Sequence, residues 1–112
     1  MKHTIQRLAI PTRDGYDFKS TDQLMYCTAE GNYCTLHFSD GSRYLVSKTL
    51  KTIFDILGSS DFVRIHQAHV VNLNFVDKYY NSKINTVRMI NGEELAVSRR
   101  KKTEITNGIT FL

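Results

Sequence analysis

The chain has 112 residues, 41% of them hydrophobic and 23% charged, a composition that suits one domain with a modest core and excludes a chain that stays disordered. No apolar run approaches the ~20 residues that a membrane-spanning helix needs, and residues 1–7 lack the apolar stretch of a secretory signal. Two cysteines, Cys27 and Cys34, are too few for a disulfide scaffold and fit a reducing compartment, so a single cytoplasmic domain over residues 1–112 is expected.

In chain order, Asp14-Gly15, Glu30-Gly31-Asn32, Asp40-Gly41 and Asn91-Gly92 supply the positive backbone angles that tight hairpin turns require. Short runs rich in aromatic and β-branched residues lie between them, at 5–11, 16–19, 24–28, 33–38 and 43–46. Further runs at 62–65, 75–80, 86–90 and 94–97 continue the series and predict a mostly antiparallel β domain. Two segments break the rhythm. Leu50, Ile53, Phe54 and Leu57 share one helical face, with Ser47 as the expected N-cap and Gly58 as the stop. After Ser98, helical spacing returns at Ile105, Ile109 and Leu112, although Gly108 and β-branched residues predict a short helix.

The net charge of +4 is concentrated. Residues 1–97 carry eleven bases against ten acids, whereas Arg99, Arg100, Lys101 and Lys102 stand against Glu104 alone in residues 98–112. Such a cluster acts as a local field, although a basic run by itself can be no more than a solvated face.

Catalytic and metal sites find little support in the sequence. His66 and His69 are three apart, and His3, His37, Cys27 and Cys34 are further possible ligands, but none falls into the paired short spacings of a structural zinc site. Nucleophile-elbow, zinc-protease and phosphate-loop motifs are absent, so no enzymatic activity and no cofactor are expected. Cys27 and Cys34 flank the Glu30-Gly31 turn and could face one another across two strands, as small buried residues or as a redox pair.

Two other segments share a pattern. Within 62–73, Phe62, Ile65, Val70, Val71 and Leu73 anchor a core while Arg64, His66, Gln67 and His69 cluster donors with no acidic neighbour. The run 95–102 repeats it, an apolar strand ending in bases. Arg and Gln can read base edges, and His or Lys can hold phosphates, so the two clusters together suggest nucleic-acid binding. A single-strand or RNA-binding module using exposed tyrosines, and a metal-dependent enzyme, are the alternatives.

The blocks 26–33, 45–50, 62–73 and 92–100, with the FxRxHxxxxVN pattern from Phe62 to Asn72 and the later Val97-Ser98-Arg99-Arg100, resemble the LytTR-type DNA-binding domain of bacterial response regulators. The resemblance covers about residues 5–105. It implies small antiparallel sheets packed in a sandwich-like arrangement with one or two short helices, reading double-stranded DNA through loops. It further implies base contacts from Asn32, Gln67 and Arg99, and phosphate contacts from Lys48, His66, Ser98, Arg100, Lys101 and Lys102. Ala68 departs from a position where a small hydroxyl residue is common, and His69 is the expected replacement for its phosphate contact. A receiver domain or sensor kinase system upstream, and dimerisation on repeated half-sites in promoters, are likewise implications of the resemblance. Blander roles remain open for several of these residues: a left-handed turn position for Asn32, a strand-surface or ion-pairing role for Arg64, a turn cap for Asn72, and a general raising of potential for Lys101 and Lys102.

Overall fold

The structure, a computed structural model, describes residues 6–58 and 61–112; His3 and the first position of the 5–11 run lie outside them. Antiparallel pairing dominates because the chain alternates short β-prone runs with turns. Two strands, β1 (Arg7–Pro11) and β2 (Tyr16–Ser20), form a separate hairpin. The central sheet contains β3 (Leu24–Glu30), β4 (Tyr33–Phe38), β5 (Arg43–Val46), β6 (Phe62–His66) and β7 (His69–Asn72) in the order β5-β4-β3-β7-β6. A third sheet has the order β10-β9-β8, built from β8 (Val76–Tyr80), β9 (Thr86–Met89) and β10 (Glu94–Ala96).

The middle strand explains the layering. Leu24, Met25, Tyr26 and Cys27 are all buried, so β3 is covered on both faces. On one face Leu24, Cys27, Cys34, Leu36, Phe38 and Val70 meet Ile10 of β1 and the apolar side of α1 (Leu50–Leu57). On the other, Met25, Tyr26, Val63, Ile65 and Val71 pack on Val87, Met89 and Leu95 of the third sheet and on Ile105 of α2 (Lys102–Asn107). The expected sandwich-like arrangement of small antiparallel sheets is therefore present, with the five-stranded sheet in the middle.

Some details differ from the sequence expectation. Strand β7 lies outside the expected runs, because donors at its start conceal a segment whose Val70 and Val71 bury themselves in opposite cores. Thr49, rather than Ser47, caps α1, its hydroxyl accepting from the Thr52 N–H at 3.2 Å, while Gly58 closes the helix in the left-handed region as expected. Phe54 is only partly buried, whereas Leu50, Ile53 and Leu57 are buried. The C-terminal helix is short, with Ile105 buried and Leu112 exposed. Asn72 is fully buried and fixes a turn: its amide donates to the Leu24 carbonyl and its oxygen accepts from Asn74 N–H, both at 3.0 Å.

Phe38 is 1% exposed and takes an edge-to-face contact from Tyr44 at 5.9 Å. Phe38→Ala is expected to destabilise the fold by about 3–5 kcal/mol, through lost transfer free energy and a cavity. Phe54→Ala should cost clearly less, and urea unfolding of both variants checks the order.

Candidate nucleic-acid interface

Strand pairing gathers the expected site residues. The β3–β4 hairpin closes through Gly31 and Asn32, because Glu30 pairs with Tyr33. Gly31 takes the left-handed φ of 63°, so Asn32 keeps an ordinary backbone and is exposed at the tip. The left-handed role considered for Asn32 belongs to Gly31. β7 pairs with the opposite edge of β3, and Ala29 N–H donates to the Ala68 carbonyl at 2.9 Å. The Gln67-Ala68 turn therefore stands beside the Asn32 tip, with the two hairpins offset sideways by about 10 Å at one strand spacing per step.

The remaining segments reach the same end of the sheet. Val46, at the end of β5, pairs with Cys34 near the start of β4, so the chain leaves the sheet there and passes exposed Lys48. On the far side the Ser98 N–H donates to the Ile65 carbonyl at 2.7 Å, tying the start of the basic cluster to the end of β6. Asn32, Lys48, His66, Gln67 and Ser98 with the bases that follow it thus line one end of the central sheet.

Arg99 does not continue the strand that precedes it. Strand β10 ends at Ala96, and residues Arg99–Lys101 form a single 3-10 turn. Ser98 caps it, its hydroxyl accepting from the Lys101 N–H at 3.2 Å. A side-chain cap, not sheet pairing, fixes the backbone from which exposed Arg99 and Arg100 project. Lys101 pairs with Glu104 at 3.3 Å, a surface pair of small energetic weight, and Lys102 is exposed.

Between the two loops lies a concavity of about 510 Å³ lined by Arg64, His66, Gln67, Ser98, Arg100 and Lys101. Its lining is rich in N–H and O–H donors and contains no carboxylate, the chemistry of an anion-binding surface. His66 contributes a defined tautomer: its Nδ1 accepts from the Ala68 N–H at 3.0 Å, so the neutral ring carries its hydrogen on Nε2, the nitrogen left to donate. His69 stacks obliquely on His66 with ring centroids 5.0 Å apart. Burial, and then the proximity of His66, lower the His69 pKa and so favour its neutral ring. Glu30, an acid at this edge, is drawn back along the sheet by Thr35, whose hydroxyl donates to its carboxylate at 2.8 Å.

His37 and the two cysteines are engaged within the central sheet. His37 stacks on Tyr26 at 4.2 Å and lies 3.2 Å from the Thr28 hydroxyl. Cys27 and Cys34 are buried free thiols at diagonal positions of the β3–β4 ladder, and mutual hydrogen bonding and burial push the Cys27 thiol well up, away from reactivity. Among the described residues no group of three or more His, Cys, Asp or Glu stands close enough to hold a metal ion. No helix among them is long and apolar enough to cross a membrane. Arg64 is the residue that sequence reasoning underrated: its guanidinium donates to the Gln67 carbonyl at 2.8 Å instead of ion-pairing on the strand surface.

Comparison with known proteins decides the family. The LytTr DNA-binding domain family matches over residues 18–109. This chain belongs to that family. The LytTr domain is 30% identical over 102 residues to the Sensory transduction protein LytT of Bacillus subtilis (strain 168), covering 88% of this chain. It spans 42% of that relative's length. The LytTr DNA-binding domain of a Bacillus cereus protein described as a methyl-accepting/DNA response regulator superposes with a TM-score of 0.80 at 20% identity. That match covers 99% of this chain and 100% of the other, and it establishes the shared fold. DNA binding in transcription regulation is the function of a LytTr domain.

Two half-buried histidines set a pH dependence. Burial is the leading cause that lowers the folded-state pKa of both His37 and His69. The unfolded chain then binds protons more readily, so their contribution is fully present above about pH 6.5 and falls as pH drops toward the folded values. Thermal melts at pH 7.5 and 5.5 should show a loss of Tm at the lower pH. That loss should shrink in the doubly substituted His37→Gln, His69→Gln protein.

Proposed function

We propose that this domain reads double-stranded DNA sequence-specifically, as the non-catalytic output half of a two-component response regulator. The observation that carries this reading is the convergence of Asn32, Lys48, His66, Gln67 and the Ser98–Lys102 segment on one end of a rigid sheet. Asn32, Gln67 and Arg99 are the base-reading residues. Lys48, His66, His69, Ser98, Arg100, Lys101 and Lys102 hold backbone phosphates, His69 as a neutral donor near pH 7.

Physical chemistry separates these two roles. Exposed lysines and arginines supply attraction that is blind to sequence and weakens as salt restores the counterions released on binding. Asn32 and Gln67, each carrying an amide at the tip of a hairpin, can pair with base edges at fixed spacing. Arg99 adds a planar fork that matches guanine O6 and N7. Similarity to a sensory transduction protein more than twice as long supports a regulatory domain working beside others. A receiver domain and its sensor kinase upstream, and two copies bound on repeated half-sites, complete this reading in the cytoplasm.

Titration of a site selected from random duplexes, beside scrambled duplex and the matching single strand, tests the proposal. With about four to six phosphates neutralised, log K against log salt should slope near −4 to −5. Tighter binding of the single strand would replace duplex reading with a stacking module. Arg99→Lys preserves charge, so scrambled-duplex binding should barely change while the selected site weakens by about 1–3 kcal/mol. Unchanged affinity for the selected site would reduce Arg99 to a source of charge. Lys102→Ala should instead weaken binding to both duplexes by the same factor, measured by fluorescence anisotropy.

A further inference from the structure

Arg64 sits on β6 between buried Val63 and Ile65, where strand alternation turns it away from their core. It is not simply solvated. Its Nη2 donates to the Gln67 carbonyl at 2.8 Å, and its Nε is buried with no hydrogen-bond partner. No carboxylate forms an ion pair with it among the described residues. Burying part of a guanidinium without a counter-charge costs free energy, and an apolar residue would fill the same space without that cost.

The turn that Arg64 grips explains what the contact can do. Hairpins closed by two residues favour turns with positive φ, because these match the right-handed twist of the strands. Gln67 and Ala68 both keep negative φ, and the register shifts between Arg64 and His66. The twist of the flanking strands therefore does not by itself select this turn. Two side chains of β6 restrain it from outside: His66 accepts the Ala68 N–H, and Arg64 donates to the Gln67 carbonyl.

We propose that Arg64 is a positioning residue for DNA reading, locking the Gln67 peptide so that the Gln67 side chain leaves the turn in one direction. The proposal rests on Gln67 being a base-reading residue. Arg64 acts through Gln67 and need not touch DNA itself.

Nitrogen-15 relaxation on the free domain and a double-mutant cycle on DNA test it together. In Arg64→Met the amides of Gln67 and Ala68 should fall from the ~0.85 order parameter of rigid backbone, with the rest of the central sheet unchanged. On the parent background Arg64→Met should lower the preference for the selected site over scrambled duplex at least fivefold. On the Gln67→Ala background the same substitution should change that preference less than twofold. Equal losses on both backgrounds, or an unloosened turn, would overturn the positioning role. A reduced salt slope with equal loss on both duplexes would make Arg64 a phosphate ligand instead. Gln67→Ala without any effect on preference would overturn the base reading itself, an outcome visible before Arg64 is altered. Should Arg64→Met fail to fold, Arg64→Gln, too short to reach the carbonyl, carries the same comparisons.

Discussion

Antiparallel pairing of β3 with two partners at once is the constraint on which the rest of this domain depends. Thr28 faces Thr35 of β4 on one side and His69 of β7 on the other. A hairpin turn follows on each side within a few residues, so the Asn32 tip and the Gln67-Ala68 turn must emerge at the same end of the sheet. A slip of one residue between β3 and β7 would move the side chains of one strand, Tyr26 and Cys27 or Val70 and Val71, each into the opposite core. The two cores that stabilise the fold therefore also set the alignment of the two loops proposed to read DNA.

The proposed interface contains no long helix. Each of the groups proposed to read DNA rises from backbone held by a different local device. Gly31 bends the first tip, the Arg64 and His66 side chains brace the second, and the Ser98 cap orders the basic turn. Fixing the backbone in advance reduces the conformational entropy lost when DNA is bound. In the proposed mode the cations supply approach and attachment, while amides and one guanidinium discriminate among bases.

Much of this was legible in the sequence. Aromatic and β-branched runs separated by Asp-Gly and Asn-Gly turns located most strands, and the spacing of Leu50, Ile53 and Leu57 located α1. The basic cluster and the donor-rich 62–73 segment pointed to a nucleic-acid partner. Some features were hidden, for physical reasons. β7 carries one buried valine for each core, so its four residues show neither alternation nor length. The Arg64 contact depends on a bulge and a glycine-free turn, whose geometry is decided by tertiary pairing. The backbone at Arg99 could be read as a continued strand, because a lone Ser cap before four bases carries little local signal.

The most direct measurement is amide chemical-shift mapping of the labelled domain as duplex DNA is added. The account predicts perturbations at residues 30–33, 47–48, 66–69 and 98–102, along one end of the central sheet. The Asp40-Gly41 turn, which joins β4 to β5 at the opposite end, should stay unmoved. Shifts centred on that opposite end, or on the outer face of the β1–β2 hairpin, would contradict it.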